Sequence, residues 1–117
     1  MKHVLIVEDS HIDAFLIQTF LSRLHFLSSV STNLFQILQS VKKGHVDIIT
    51  VDLQMPEIDG LYLAEHVRKI DKQIPIIIIT CQTSEQVRMT CLQNGANYYI
   101  QKPFSRKDIE SVFTQFK

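Results

Sequence analysis

The stretch that decides the fold is TVDLQMPEIDG, which runs from Thr50 to Gly60. The apolar segment DIITV, typical of a buried strand, passes directly into Asp52, and a Met-Pro pair, a second aspartate and a glycine follow. A carboxylate at the end of a buried strand costs free energy unless the protein compensates or uses it. The role of Asp52 therefore depends on the elements that surround it.

Segments typical of strands alternate five times with segments that have the spacing or cap residues of helices. The strand candidates are HVLIV, SSVST, DIITV, IPIIII and NYYI. This alternation predicts an α/β fold with a parallel sheet covered by helices on both faces. Right-handed crossovers restrict the topology, so we expect the flavodoxin-like, doubly wound order 2-1-3-4-5. The length of 117 residues predicts a single domain over residues 1–117.

The helices show both cap signals and apolar faces. The predicted capping boxes pair Ser10 with Asp13, Ser105 with Asp108, and Thr83 with Gln86. The predicted core face of the first helix consists of Leu16, Ile17, Phe20, Leu21 and Leu24. A projection at 3.6 residues per turn places Phe15 nearly opposite that face, with Ile12 beside it. Exposed apolar side chains there suggest a contact surface, although single exposed apolar residues are common.

The composition excludes several classes of protein. Lys plus Arg and Asp plus Glu each number 12, so the chain lacks the basic excess of a nucleic-acid surface. The longest apolar run, IPIIIITC, is too short to span a bilayer, and Glu8-Asp9 interrupts any signal-peptide core. The two cysteines have no metal-ligand or disulfide-scaffold spacing. We expect a soluble, cytoplasmic protein that binds neither membranes nor nucleic acid directly.

Polar residues stand at the predicted ends of four strands. Glu8 and Asp9 follow the first strand, Asp52 follows the third, Thr80 ends the fourth, and Lys102 follows the fifth. In open parallel sheets ligands bind beyond the carboxyl ends of the strands, near the reversal of strand order. One lysine cannot neutralise three carboxylates at this edge. A hard dication with oxygen ligands would, and Mg²⁺ suits such a site best.

In their order, the motifs at these strand ends resemble those of a known family. VEDS, DLQMPEIDG, IIIITCQ and GANYYIQKPF resemble the receiver domain of bacterial two-component response regulators over essentially the whole chain. The resemblance implies that Asp52 is the phosphoacceptor in a magnesium-dependent reaction. It further implies that Asp9 binds the metal directly, that the backbone carbonyl of Gln54 is another ligand, and that Glu8 acts indirectly.

The same resemblance implies a switch and partners. Thr80 is the expected switch hydroxyl, Tyr99 the switch aromatic, and Lys102 the phosphate-pairing lysine. A histidine kinase or histidine phosphotransfer protein is expected to dock near Ile12 and Phe15. The fourth helix, fifth strand and fifth helix are expected to contact a downstream target or output domain, and the resemblance allows a phosphorylation-dependent homodimer. No output domain is expected within this chain, which leaves open a stand-alone receiver or an excised one.

Two other functions use the same architecture. A pseudo-receiver would keep the fold as a binding module without phosphoryl chemistry, and its mark would be loss of Asp52, Asp9, Thr80 or Lys102. A flavin- or nucleotide-binding protein would need a glycine-rich or hydroxyl-rich loop after the first strand. The sequence VEDSHID has acids there instead. Taken singly, each residue also has an ordinary interpretation, such as a solvated helix start for Glu8-Asp9 or a surface role for Lys102.

Several positions depart from the family's usual residues. Cys81 and Cys91 stand where alanine is usual, and we expect both to pack in the core as small hydrophobic residues. His25 stands where glycine often follows the first helix, so we expect an unusual backbone conformation there. The resemblance also predicts a cis peptide bond between Lys102 and Pro103, since the chain must turn directly after the fifth strand.

Overall fold

The computed structural model describes all residues from 1 to 117. Five parallel strands form one sheet in the order β2-β1-β3-β4-β5, which confirms the predicted α/β class and strand order. In chain order the elements are β1 (His3–Val7), α1 (His11–Arg23), β2 (Leu27–Val30), α2 (Leu34–Lys42), β3 (Ile48–Val51), α3 (Gly60–Ile70), β4 (Ile76–Thr80), α4 (Glu85–Gln93), β5 (Tyr98–Gln101), α5 (Arg106–Phe113) and a final 3-10 turn (Thr114–Phe116). None of the helices has both the length and the apolar composition needed to cross a membrane.

The sheet separates two hydrophobic layers. Buried residues of α2, α3 and α4 pack on one face, and those of α1 and α5 pack on the other. Because successive side chains of a strand point to opposite faces, β4 supplies Ile76 and Ile78 to the first layer and Ile77 and Ile79 to the second. The uninterrupted isoleucine run thus reflects burial on both faces of the sheet.

The predicted core face of α1 is wrong at one position. Leu16 is 36% exposed, whereas Ile17 and Leu21 are buried. Phe20 and Leu24 are half-buried against the same layer. The face that meets the sheet is centred on Ile17 and Leu21 and includes Ala14, so Leu16 falls at its margin. Leu16 therefore joins the exposed apolar residues of α1.

The helix caps are partly as predicted. Ser105 and Asp108 form the predicted capping box at the start of α5, with both reciprocal hydrogen bonds present. The box predicted for Thr83 and Gln86 is wrong, because Ser84 is the N-cap of α4 and accepts a hydrogen bond from the Val87 amide at 3.3 Å. The hydroxyl one residue later provides the cap, which shifts the start of the helix.

Local predictions around the helix and strand ends have mixed outcomes. His25 has a φ of 67°, which confirms the unusual backbone conformation, and the Lys102-Pro103 bond is cis as predicted. Cys91 is buried in the core as expected. The same expectation is wrong for Cys81, which is exposed. Cys81 directly follows Thr80, the last residue of β4, where the chain leaves the sheet.

Candidate functional site

The carboxyl edge of the sheet holds the site, and backbone pairing continues one residue past two of the strands. The amide of Asp52 donates to the carbonyl of Val7 at 3.1 Å, which joins the ends of β3 and β1. The amide of Lys102 donates to the carbonyl of Thr80 at 2.8 Å, which joins the ends of β5 and β4. Asp52 and Lys102 are thus fixed at neighbouring points of the same edge.

Asp52 is buried, with 5% of its surface exposed. Its Oδ1 accepts a hydrogen bond from the Gln54 amide at 2.9 Å, and its Oδ2 accepts one from Lys102 Nζ at 2.9 Å. Burial raises the pKa of Asp52, but the hydrogen bonds from Gln54 and Lys102 outweigh that effect and hold the pKa below its ordinary value. Asp52 is therefore a carboxylate at neutral pH.

Glu8 lies beside Asp52 and is even less exposed. Its Oε2 accepts a hydrogen bond from the Ser10 amide at 3.1 Å. Its Oε1 lies 2.7 Å from Lys102 Nζ, but the angles do not meet hydrogen-bond geometry, so this buried oxygen has an ion-pair neighbour and no hydrogen-bond partner. Burial is the main cause that raises the pKa of Glu8 to about 7, and neighbouring Asp52 adds to it.

Glu8, Asp9 and Asp52 form an acidic cluster in which one carboxylate oxygen from each residue lies within 4.8 Å of the other two. Asp9 is exposed, whereas the other two are buried. Three hard oxygen donors, two of them from buried residues, fit a Mg²⁺ ion. The structure thus brings together the three acids that the sequence predicts for the metal site.

Lys102 pairs with three carboxylates, and one of them belongs to Asp13, which was predicted to form a capping box with Ser10. Its Nζ lies 2.7 Å from Glu8, 2.7 Å from Asp13 and 2.9 Å from Asp52. Burial alone would lower the pKa of Lys102, but these carboxylates hold it above its ordinary value. Lys102 is therefore a permanent cation at this edge of the sheet.

Asp13 was expected to complete a capping box with Ser10, and only half of that box forms. The Asp13 amide donates to Ser10 Oγ at 3.2 Å, as a cap requires. The return bond is absent because the Ser10 amide donates to Glu8 instead. The carboxylate of Asp13 is therefore available to Lys102. The sequence showed only an acid in the first turn of α1, and because such an acid also fits a cap, it did not indicate the ion pair with Lys102.

The two predicted switch residues meet at Gln82 rather than at Asp52. Thr80 is fully buried, and its Oγ1 accepts a hydrogen bond from the Gln82 amide at 3.4 Å. The hydroxyl of Tyr99 donates to the carbonyl of Gln82 at 2.9 Å. Thr80 makes no hydrogen bond to Asp52 in this state. The loop after β4 thus links both residues.

The loop after β3 folds back closely onto the site. Asp59 caps α3 by accepting from the amides of Leu61 and Tyr62, and it pairs with Gln54 in an isolated antiparallel bridge. A Cβ atom on Gly60 would lie 2.6 Å from the carbonyl oxygen of Asp52. Glycine is required here because helix α3 begins in direct contact with the Asp52 backbone.

A cleft of about 340 Å³ opens beside the acidic cluster. The residues that line it include Glu8, Asp9 and His11 near the end of β1, and Met55, Pro56 and Glu57 from the loop after β3. The cluster is therefore accessible from solvent along the face where Asp9 is exposed.

Comparison with known proteins agrees with this geometry. Residues 4–114 match the family model of the response regulator receiver domain. The chain belongs to this family. Receiver domains are signalling domains of two-component systems and not classical enzymes, and members of the family bind Mg²⁺ in an acidic pocket. The resemblance inferred from the sequence motifs is thus confirmed.

Relatives of this receiver domain come from different kingdoms. The chain is 32% identical over 114 residues to the transcription factor SKN7 of Saccharomyces cerevisiae, which covers 97% of this chain and 18% of that protein. It is 32% identical over 108 residues to the transcriptional regulatory protein KdpE of Staphylococcus aureus, and the match covers 92% of this chain and 46% of that protein. The chain thus spans less than half the length of these relatives, and the family by itself does not assign the chain to bacteria.

A solved structure shows the same fold with a metal. The receiver domain of the sensor histidine kinase PA1611 from Pseudomonas aeruginosa PAO1 has a TM-score of 0.84 and 27% identity, covering 97% of this chain and 95% of that one. In that structure a magnesium ion is coordinated in the active-site cleft.

Proposed function

We propose that this receiver domain accepts a phosphoryl group on Asp52 from a histidine kinase or a histidine phosphotransfer protein, and that it changes conformation in response. One observation carries the proposal. Asp52 is a buried carboxylate held between the Gln54 amide and the Lys102 ammonium, directly beside two further acids. A structural ion pair would need only the lysine, whereas the added acids create a negative charge that a dication has to balance.

The proposed transfer is an in-line displacement at phosphorus. An oxygen of Asp52 forms the new P–O bond, and the P–N bond of the donor phosphohistidine breaks, so that the imidazole leaves with the electron pair. The lowered pKa of Asp52 keeps this oxygen unprotonated and nucleophilic. Lys102 stabilises the charge on the phosphoryl oxygens. The chain thereby assists its own phosphorylation and dephosphorylation without being an enzyme in the usual sense.

The residues that would hold Mg²⁺ are Asp9, Asp52 and the backbone carbonyl of Gln54, with Glu8 acting indirectly. A bound Mg²⁺ supplies neutralisation of the phosphoryl oxygens and of the acidic cluster. Glu8 suits the indirect role because Lys102 Nζ lies 2.7 Å from its Oε1 and the Ser10 amide donates to its Oε2. Support for the assignment comes from the PA1611 receiver domain, which carries magnesium in its cleft.

The conformational response would start from Thr80 and Tyr99. A phosphoryl group on Asp52 offers oxygens that the Thr80 hydroxyl can bind, and that bond would replace the long one from Gln82. Movement of Gln82 would release Tyr99, which the Gln82 carbonyl holds at 2.9 Å. The surface of α4, β5 and α5 would then change shape for a downstream target, an output domain or a second copy of the chain.

The partner that delivers the phosphoryl group is proposed to dock on α1. Ile12 is 74% exposed and Phe15 is 67% exposed, and both lie beside the carboxyl edge of the sheet where α1 begins. Exposed Leu16 extends this apolar surface by one residue.

Three statements stay predictions: bacterial origin, cytoplasmic location, and a single receiver domain over residues 1–117 without an output domain.

Chemical phosphorylation tests the proposal without a partner. The protein is incubated with Mg²⁺ and acetyl phosphate, and mass spectrometry locates the modified residue. We expect a mass increase of one phosphoryl group on Asp52, loss of that signal with excess EDTA, and no signal in Asp52→Asn. Stable modification of another residue with Asp52 untouched contradicts the assignment. A pseudo-receiver would acquire no phosphoryl group, but Asp52, Asp9, Thr80 and Lys102 are all present.

A further inference from the structure

The phosphate-pairing lysine of the proposed function is already surrounded by ion-pair partners. Lys102 Nζ has three carboxylates within 2.9 Å, and it donates a hydrogen bond to one of them, Asp52. Two of them, Glu8 and Asp52, belong to the acidic cluster. The third, Asp13, comes from the first turn of α1 and is outside the cluster.

Asp13 differs from the other two partners in its exposure to solvent. The side chains of Glu8 and Asp52 are 2% and 6% exposed, whereas that of Asp13 is 29% exposed. A buried carboxylate that loses its cation is left desolvated, which is costly, but a partly exposed one is hydrated again by water. Asp13 is therefore the partner that Lys102 can release at the lowest cost.

We infer that Asp13 is a positioning residue that competes with the phosphoryl group for Lys102. In the unphosphorylated protein the Asp13 carboxylate, 2.7 Å from Nζ, attracts the ammonium toward α1. When a phosphoryl group occupies Asp52, Lys102 moves toward a phosphoryl oxygen, and Asp13 is released to solvent. The contact with Asp13 thus weakens binding of phosphoryl groups and links the state of the site to the first turn of α1.

Beryllofluoride, a phosphoryl mimic, measures this competition. The wild-type protein and Asp13→Asn are titrated with it at saturating Mg²⁺, and the dissociation constant is obtained from ¹H–¹⁵N shifts of the loop after β3. We expect the constant of Asp13→Asn to be lower by about two- to fivefold, the range for loss of one partly exposed ion-pair partner. The acetyl phosphate concentration for half-maximal phosphorylation should fall with it, with less change in the maximal rate.

Two further variants separate a specific effect from general electrostatics. Glu57→Gln removes the same charge from the cleft beside the site, but Glu57 does not contact Lys102. We expect its dissociation constant to change by less than that of Asp13→Asn. Asp13→Glu retains the carboxylate and should move the constant back toward the wild-type value. An unchanged or weaker affinity in Asp13→Asn, or an equal gain in Glu57→Gln, overturns the inference.

The inference rests on the proposed function, yet the two can fail separately. If wild-type protein acquires no phosphoryl group at Asp52, the proposed function fails. If wild-type protein is modified at Asp52 but Asp13→Asn binds beryllofluoride no better, only the competition is wrong. Mg²⁺ affinity, measured for each variant without fluoride, provides a further control. If a change in Mg²⁺ affinity fully accounts for the tighter binding of beryllofluoride by Asp13→Asn, a role of Asp13 through Lys102 is contradicted.

Discussion

Replacement of Glu8 by glutamine is expected to stabilise the metal-free protein above neutral pH. Glu8 is 3% exposed, and its pKa is raised from 4.5 to about 7, chiefly by burial. Between these values the folded chain retains a proton that the unfolded chain has released. The contribution of protonated Glu8 to the free energy of unfolding is therefore fully present below about pH 4.5, and it is lost as the pH rises through 7. Glutamine stays neutral and lacks this dependence.

The size of the effect follows from the two pKa values. A difference of one in pKa corresponds to about 1.4 kcal/mol, so the shift of Glu8 sets an upper bound of roughly 3 kcal/mol. We therefore expect Glu8→Gln to exceed the wild type in free energy of unfolding by about 1–3 kcal/mol at pH 8, and by about a quarter of that at pH 5.

Urea denaturation followed by circular dichroism, with EDTA present, measures this difference. The chain has five histidines that also titrate in this range, so the comparison is between the two proteins at each pH. Glu57→Gln serves as a control for loss of one negative charge. Addition of Mg²⁺ at pH 8 should favour the wild type, because a ligand of the folded state stabilises it. If the difference between Glu8→Gln and wild type is the same at pH 5 and pH 8, the reasoning is refuted.

Other perturbations test the docking surface, the backbone and the metal. Phe15→Ala should slow phosphorylation by the cognate partner but not by acetyl phosphate, because Phe15 is 67% exposed on α1; equal losses would place it in the fold or the site. His25→Gly should raise the free energy of unfolding by about 0.5–1 kcal/mol, because glycine adopts the φ of 67° without steric cost; no gain in urea denaturation would contradict this. Gly60→Ala should lower stability by about 1–3 kcal/mol and slow Asp52 phosphorylation, because its Cβ meets backbone atoms at 2.6 and 2.8 Å; wild-type values in both assays would refute this. Mg²⁺ should shift the NMR signals of Asp52 and of the loop after β3, and it should bind more tightly when beryllofluoride is present. No shift of these signals would contradict the metal site.

Sequence alone determined the sheet and the members of the acidic cluster. The isoleucine run of β4 and the apolar run of β3 predict strands buried on both faces, and only a parallel sheet covered by helices provides such burial. The carboxyl ends of parallel strands share one edge, so Glu8, Asp52 and Lys102 had to converge once the strands were assigned. The capping box of Ser105 and Asp108 and the unusual backbone conformation of His25 could also be predicted, because they depend on a few neighbouring residues.

Only the tertiary structure decided which groups pair at that edge. Ser10 and Asp13 satisfy the pattern of a capping box, but Glu8 takes the Ser10 amide and Lys102 takes the Asp13 carboxylate. The exposure of Leu16 and Cys81 likewise depended on where α1 meets the sheet and where β4 leaves it. A local pattern specifies the donors and acceptors that a segment offers. Which of them pair depends on groups brought from other segments by the folded chain, since each donor goes to the acceptor that lies within reach.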